Sequence, residues 1–156
     1  MTAQSAGILL YRHRDHELQV LLVHPGGPYW AHKDEGAWSI PKGEYASGEE
    51  PLHAAQREFL EELGAPVSGP FLALQSIRQR SGKLVCAWAA SGEFDPSQLR
   101  SNEFEMEWPP RSGRRQRFPE VDRAAWFSLA PARVKMAAAQ VPFLDRLLAG
   151  LRVEAL

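Results

Sequence analysis

GEYASGEEPLHAAQREFLEELGA, residues 43–65, is the stretch on which the reading of this chain turns. Glu58, Glu61 and Glu62 lie three and four residues apart, so a helix here places all three carboxylates on one flank. Leu52, Ala55, Phe59 and Leu63 fall on a separate face, an apolar stripe suited to a core. Pro51 fits the first turn of such a helix and Gly64 its C-terminal stop. Three like charges on one flank repel and cost helix stability. A hard divalent cation removes that cost, because Mg²⁺ and related ions bind carboxylate oxygens. The plain alternative is a solvated acidic face, common for glutamates on helices.

The stretch resembles the Nudix box, G-x5-E-x7-R-E-U-x-E-E-x-G-U, with U a bulky aliphatic residue. Gly43, Glu49, Arg57, Glu58, Glu61, Glu62 and Gly64 stand at its fixed positions. Phe59 and Ala65 fill the U positions, one aromatic and one small, departures that concern packing. Trp38-Ser39-Ile40-Pro41-Lys42 is similar to the family's approach to the box. The resemblance implies an α/β fold, the Nudix α/β/α sandwich, a mixed β-sheet flanked by helices. It also implies that Glu58, Glu61 and Glu62 bind metal, joined by the backbone carbonyl near Gly43, with Mg²⁺ or Mn²⁺ as the ion. Glu58 is in addition a general-base candidate. Arg57 is expected to orient a neighbouring carboxylate, and Glu49 to organise the loop.

The 156 residues suit a single domain, 1–156, with a real core. Net charge is −1, so no global field selects nucleic acid or membrane. A single cysteine, Cys86, excludes an internal disulfide framework and a cysteine-only zinc site. It sits in an apolar run and reads as a small core residue. The N-terminus shows no signal-peptide pattern and no apolar run is long enough to span a bilayer, which makes a cytoplasmic protein the expectation.

Residues 7–11 and 18–24 are apolar runs around a polar turn and predict neighbouring strands. Pro25-Gly26-Gly27-Pro28 then breaks the chain. Tyr29, Trp30 and Lys33 follow in a loop, where the aromatics suit a purine base or simply pin the loop. A short strand is predicted at 37–40, and two more at 71–78 and 83–90. Residues 102–108 alternate acid and apolar, which predicts a strand with Phe104, Met106 and Trp108 inward. Arg111, Arg114, Arg115 and Arg117 crowd the next loop, where they suit either a polyphosphate or solvent. A last short strand is predicted at 125–127. A helical stretch follows at 131–150, kinked or restarted by Pro142.

Pro119-Glu120-Val121-Asp122-Arg123-Ala124-Ala125-Trp126 resembles a segment of the branch that acts on RNA 5′-pyrophosphate ends and diadenosine polyphosphates. That makes Glu120 the candidate for a further metal ligand or the base, with Glu103 behind it. Pro41-Lys42-Gly43 is also common in that branch, where Lys42 would suit a long polyphosphate chain; Lys135 stands roughly where the branch places another phosphate-facing lysine, or is a solvated helix lysine. The resemblance implies a Mg²⁺-dependent pyrophosphohydrolase of a small-molecule nucleoside polyphosphate, with dinucleoside polyphosphates favoured. The alternatives are a nucleoside triphosphate pyrophosphohydrolase and a non-catalytic nucleotide-binding module. Membrane and nucleic acid are not expected partners. An exposed edge strand and Trp108 leave a homodimer open.

Overall fold

The computed structural model describes residues 4–154; the ends of the span 1–156 lie outside the described residues. In chain order the elements are β1 (Gln4–Arg14), β2 (Glu17–Pro25), β3 (Lys42–Glu44), α1 (Pro51–Leu63), β4 (Leu72–Arg78) and β5 (Leu84–Ser91). There follow β6 (Glu103–Glu107), β7 (Arg115–Pro119), β8 (Val121–Ser128), α2 (Leu129–Lys135) and α3 (Pro142–Glu154). Five strands run in the order β4-β5-β1-β2-β8, with β3 added on β1. The β1/β5 pair is parallel and the others are antiparallel, so the sheet is mixed.

Alternation along β1 sends Ala6, Ile8 and Leu10 to one face and Leu9 to the other. On the first face α1 packs through Ala54, Ala55, Phe59 and Leu63, essentially the stripe its sequence predicts. On the second, Ala132, Phe143, Leu144 and Leu147 of α2 and α3 cover Val20, Leu22, Val85 and Ala87. The result is the expected mixed sheet flanked by helices.

β1 shares one edge between two partners. Tyr11–Arg14 pair with β2, but Ser5–Gly7 pair with β3. Between them residues 38–41 wedge in: Ile8 donates its amide to the Pro41 carbonyl at 3.1 Å, and Val23 exchanges hydrogen bonds with Ser39 at 2.8 and 2.9 Å. The predicted strand at 37–40 is therefore only two isolated bridges, Ser39 to Val23 and Trp38 to Met136. The second bridge explains why the predicted helix at 131–150 is interrupted. Trp38 donates to the Lys135 carbonyl and accepts from the Ala137 amide, which draws the backbone out of helix after α2. Pro142 then opens α3, where its missing N–H costs nothing.

Two further corrections concern the second half. The arginine loop is partly a strand, since Arg115 and Arg117 belong to β7, which pairs with β6 as a separate hairpin. Phe104, Met106 and Trp108 do not enter the main core. They are half-buried, and Trp108 meets Tyr29 edge-on at 5.3 Å. β8 is much longer than the predicted 125–127 because it pairs with β2 almost throughout.

α1 ends at Gly64, whose φ of 80° is left-handed and whose amide caps the Leu60 carbonyl at 2.8 Å. A Cβ there would lie 2.6 Å from the Arg100 Cβ and 2.8 Å from its carbonyl oxygen. Gly64→Ala is thus expected to cost about 2–4 kcal/mol, from left-handed strain plus the clash. Denaturant unfolding checks it, and a loss below about 1 kcal/mol would show that the 100–102 loop yields.

Candidate active site

α1 presents Glu58 and Glu62 one turn apart on the same face. Glu120 arrives from the turn between β7 and β8. Its amide donates to the Asn102 carbonyl at 2.8 Å, and its carbonyl accepts from Gly26 at 2.9 Å. Asn102 in turn donates to the Glu61 carbonyl at 2.8 Å, so one loop ties Glu120 to the end of α1. Carboxylate oxygens of Glu58, Glu62 and Glu120 all lie within 4.8 Å of one another.

Glu61, read from the sequence as an equal member of the flank, is not one of the three gathered carboxylates, although its charge acts on Glu58 and Glu120. Its carboxylate accepts from Arg57 Nη1 at 3.2 Å. Arg57 is a hub: Nε and Nη2 reach Glu49 at 2.8 and 2.9 Å, and Nη1 reaches Glu58 at 2.8 Å. These bonds, above all those to Glu49, hold its guanidinium more firmly charged than usual. Bidentate pairing with Glu49 explains why an arginine stands at 57.

Gly43 sits directly under Glu58. A Cβ at that position would come 2.0 Å from Glu58 Oε2, so only glycine lets this carboxylate lie where it does. Glu62 is buried, and its Oε2 has no hydrogen-bond partner. Burial, with Glu58 and Glu120 adding repulsion and Lys42 opposing, pushes its carboxyl up to about 8. Burial also raises Glu58, although Arg57 resists, and it raises Glu120, aided by Glu61. An orphaned buried oxygen among crowded carboxylates fits a divalent cation, and hard oxygen donors suit Mg²⁺ or Mn²⁺.

The linkage has a definite sign. Glu62 titrates near 8 when folded against an ordinary 4.5, so between those values the folded chain holds more protons than the unfolded one. Stability of the metal-free protein therefore falls as pH rises through that window, and Glu58 and Glu120 act in the same direction. Thermal melts are expected to show a lower Tm at pH 8 than at pH 6 without metal, and a larger gain from Mg²⁺ at pH 8. Equal Mg²⁺ gains at both pH values would count against these carboxylates as the binding site.

Lys42, Glu62 and Glu120 line one cleft of about 180 Å³ with Ser39 and Val121. Burial pushes the Lys42 ammonium down, with Glu62 the chief opposing influence. A larger groove of about 670 Å³ lies by the open edge of β8, lined by Lys33, Asp34, Trp38, Arg123, Phe127 and Lys135 among others. Lys135 is there, but paired with Asp34.

The remaining candidates are elsewhere. Tyr29 and Trp30 are exposed and line neither cleft. Tyr29 packs on Trp108, and Trp30 lies under the Lys33 ammonium at 5.0 Å. Arg115 pairs with Glu105 and Arg117 with Glu103, across the β6–β7 hairpin. Glu103 is thereby occupied and outside the carboxylate cluster. Arg114 lies in the hairpin turn and lines neither cleft. Sequence reading passed over Ser39, His24 and Asp122. The only local signal for His24 was a polar residue closing an apolar run just before Pro25-Gly26.

A family model described as NUDIX domain matches residues 1–147. No curated protein matches in sequence. Among solved structures, the NUDIX domain of Shewanella oneidensis NrtR complexed with ADP ribose gives a TM-score of 0.65 at 15% identity, over 97% of this chain and 89% of that one. A binary complex of C. elegans Ap4A hydrolase gives 0.66 at 21% identity, over 97% and 99%. A NUDIX hydrolase from Nitrosomonas europaea gives 0.61 at 21% identity, over 96% and 90%. At such identities the likeness is one of fold. With the family model spanning nearly the whole sequence, and a box helix carrying clustered carboxylates, the chain belongs to the NUDIX domain family, that of the Nudix hydrolases.

Proposed function

We propose that this protein is a Mg²⁺-dependent pyrophosphohydrolase of nucleoside polyphosphates, with dinucleoside polyphosphates as the favoured class. The observation that carries the reading is the gathering of Glu58, Glu62 and Glu120, from two distant segments, beside Lys42. These three carboxylates would hold the ion, Mg²⁺ or Mn²⁺, with the Gly43 carbonyl a candidate further ligand, and Glu61 would back them through Arg57. When bound, a divalent ion neutralises phosphate charge and acidifies water. Glu120 stands at the exposed mouth of the cluster, so where it does not ligate the ion its carboxylate is a candidate base for the proton of the attacking water. Glu58 is the second candidate, though Arg57 occupies its Oε1. Lys42 meets a phosphate oxygen of the chain being cut.

The groove along β8 supports a long substrate. Lys33, Arg123 and Lys135 supply cations for phosphates beyond the scissile bond, and Asp34 keeps Lys135 in place. Tyr29 and Trp30 stay as candidates for stacking on a distal base that projects past the groove. Arg114 and Arg115 are weaker phosphate contacts, since Arg115 is held by Glu105. No described helix is long and apolar enough to cross a membrane.

Product analysis tests this, with diadenosine tetraphosphate, a set of nucleoside triphosphates and ADP-ribose as substrates. ATP plus AMP from the dinucleotide, lost on chelation, is the expected result. Monophosphate and pyrophosphate from triphosphates alone would move the assignment to a triphosphate pyrophosphohydrolase. No turnover, with thermal stabilisation by the same ligands, would make this a binding module.

A further inference from the structure

His24 is fully buried, yet it touches none of the gathered carboxylates. Nε2 lies 2.6 Å from the Lys33 carbonyl oxygen, and Nδ1 lies 2.8 Å from Asp122 Oδ1. A carbonyl only accepts, so Nε2 donates to Lys33, and Nδ1 is left to face the Asp122 carboxyl group. The ring is a hydrogen-bonded bridge between a loop and a strand. Its face is closed by Trp38, edge-on at 5.3 Å, whose Nε1 donates to Asp34 at 2.8 Å.

What those contacts hold is a β-bulge. β2 and β8 pair His24 with Arg123 but Pro25 with Val121, so Asp122 is the extra residue. Just beyond the bulge lies Glu120. A one-residue slip in such a pairing reverses which side chains face each way. In-register pairing after His24 would turn the Val121 side chain out of the core and re-aim Glu120. Pro25 has no N–H to resist the slip. The restraints within the pairing are the Gly26 amide on the Glu120 carbonyl and the His24 ring on Asp122.

We infer that His24 and Asp122 are positioning residues: together they lock the β8 bulge that aims Glu120 at the carboxylate cluster and fasten the Lys33 loop to it. This rests on that cluster being the metal site proposed above. Neither residue touches the reacting atoms. The role resembles the orienting shell that commonly tunes metal ligands, where a lost partner costs about 10–100-fold in metal affinity.

The test is calorimetric titration of Mn²⁺ into nucleotide-free protein, paired with kcat measured against metal concentration. Asp122 is partly exposed, so Asp122→Ala folds even where His24→Leu does not. Asp122→Ala is expected to weaken Mn²⁺ by about tenfold and to lower kcat in a way that added metal restores. Asp122→Asn, whose amide still hydrogen-bonds the ring, recovers most of the affinity. His24→Gln weakens Mn²⁺ similarly, and adding Asp122→Ala to it brings little further loss, since both act on one contact. A Tm shift with unchanged Mn²⁺ affinity would overturn the inference and leave the metal site standing. Wild-type protein that takes up no Mn²⁺ would overturn the site itself, and this inference with it.

Discussion

Glu62→Gln sharply slows hydrolysis and yields a protein that melts higher than wild type when metal is absent at pH 8. Both halves come from one fact: Glu62 is buried with an unpartnered carboxylate oxygen. The amide keeps the shape but binds a hard cation far less well, so kcat is expected to fall by about 10²–10³-fold, the scale for losing one preorganised electrostatic group. Without metal, ionised Glu62 faces Glu58 and Glu120 with little water to screen them. Deleting that charge relieves the strain. In a chain of this size about 1 kcal/mol moves Tm by about 2–4 °C, so the gain is readable by calorimetry. Mg²⁺ is then expected to add little further stability to the variant. An active Glu62→Gln enzyme, or one that melts lower than wild type in EDTA, would remove Glu62 from the metal site.

Gly43→Ala is the second large effect, and it separates function from folding by another route. The added Cβ falls 2.0 Å from Glu58 Oε2 and 2.1 Å from its carboxyl carbon. The obstructed atoms are the far end of a flexible side chain, so Glu58 moves and the backbone stays. Stability is therefore expected to change little. Displacing a reacting group by an ångström costs about 10²-fold in rate, and that is the expected loss in kcat. Glu58→Gln on the Gly43→Ala background then costs less than on wild type, because the carboxylate is already out of place. Full activity of Gly43→Ala would show that Glu58 works from another rotamer.

The contrast between these residues shows how far the sequence carries. α1 and its apolar face were legible because helical periodicity is local and Pro51 and Gly64 mark its ends. Glu58 and Glu62 followed from the same spacing. Glu61 looked equivalent on that spacing, and its contact with Arg57 could not be read from it, because the guanidinium is placed by Glu49 across the loop. Glu120 was found by resemblance to a family segment; no periodicity joins residue 120 to residue 62. Arginines 115 and 117 read as free loop charge because β7 has no apolar alternation, and its strand character comes from pairing with β6. Tyr29 and Trp30 stood near the box in sequence, but the hairpin tip lies across Tyr29. Pairings over long separations set all of these outcomes.

The wedge at residues 38–41 also bears on how the chain acquires its form. The β1–β2 turn is local and closes quickly, but only four residue pairs, Tyr11–Arg14 with Glu17–Val20, zip directly. Beyond them the ladder stalls, since Ile8 and Val23 find their partners on a segment some fifteen or more residues further along. Pulse-labelled hydrogen exchange during refolding is expected to protect the β2 amides facing Tyr11–Arg14 before that of Val23. Simultaneous protection would mean that the hairpin and the wedge condense as one nucleus. In the stalled order, the box helix and its glutamates lack a floor until the chain has doubled back between its own first two strands, and catalytic competence is among the last properties this molecule gains.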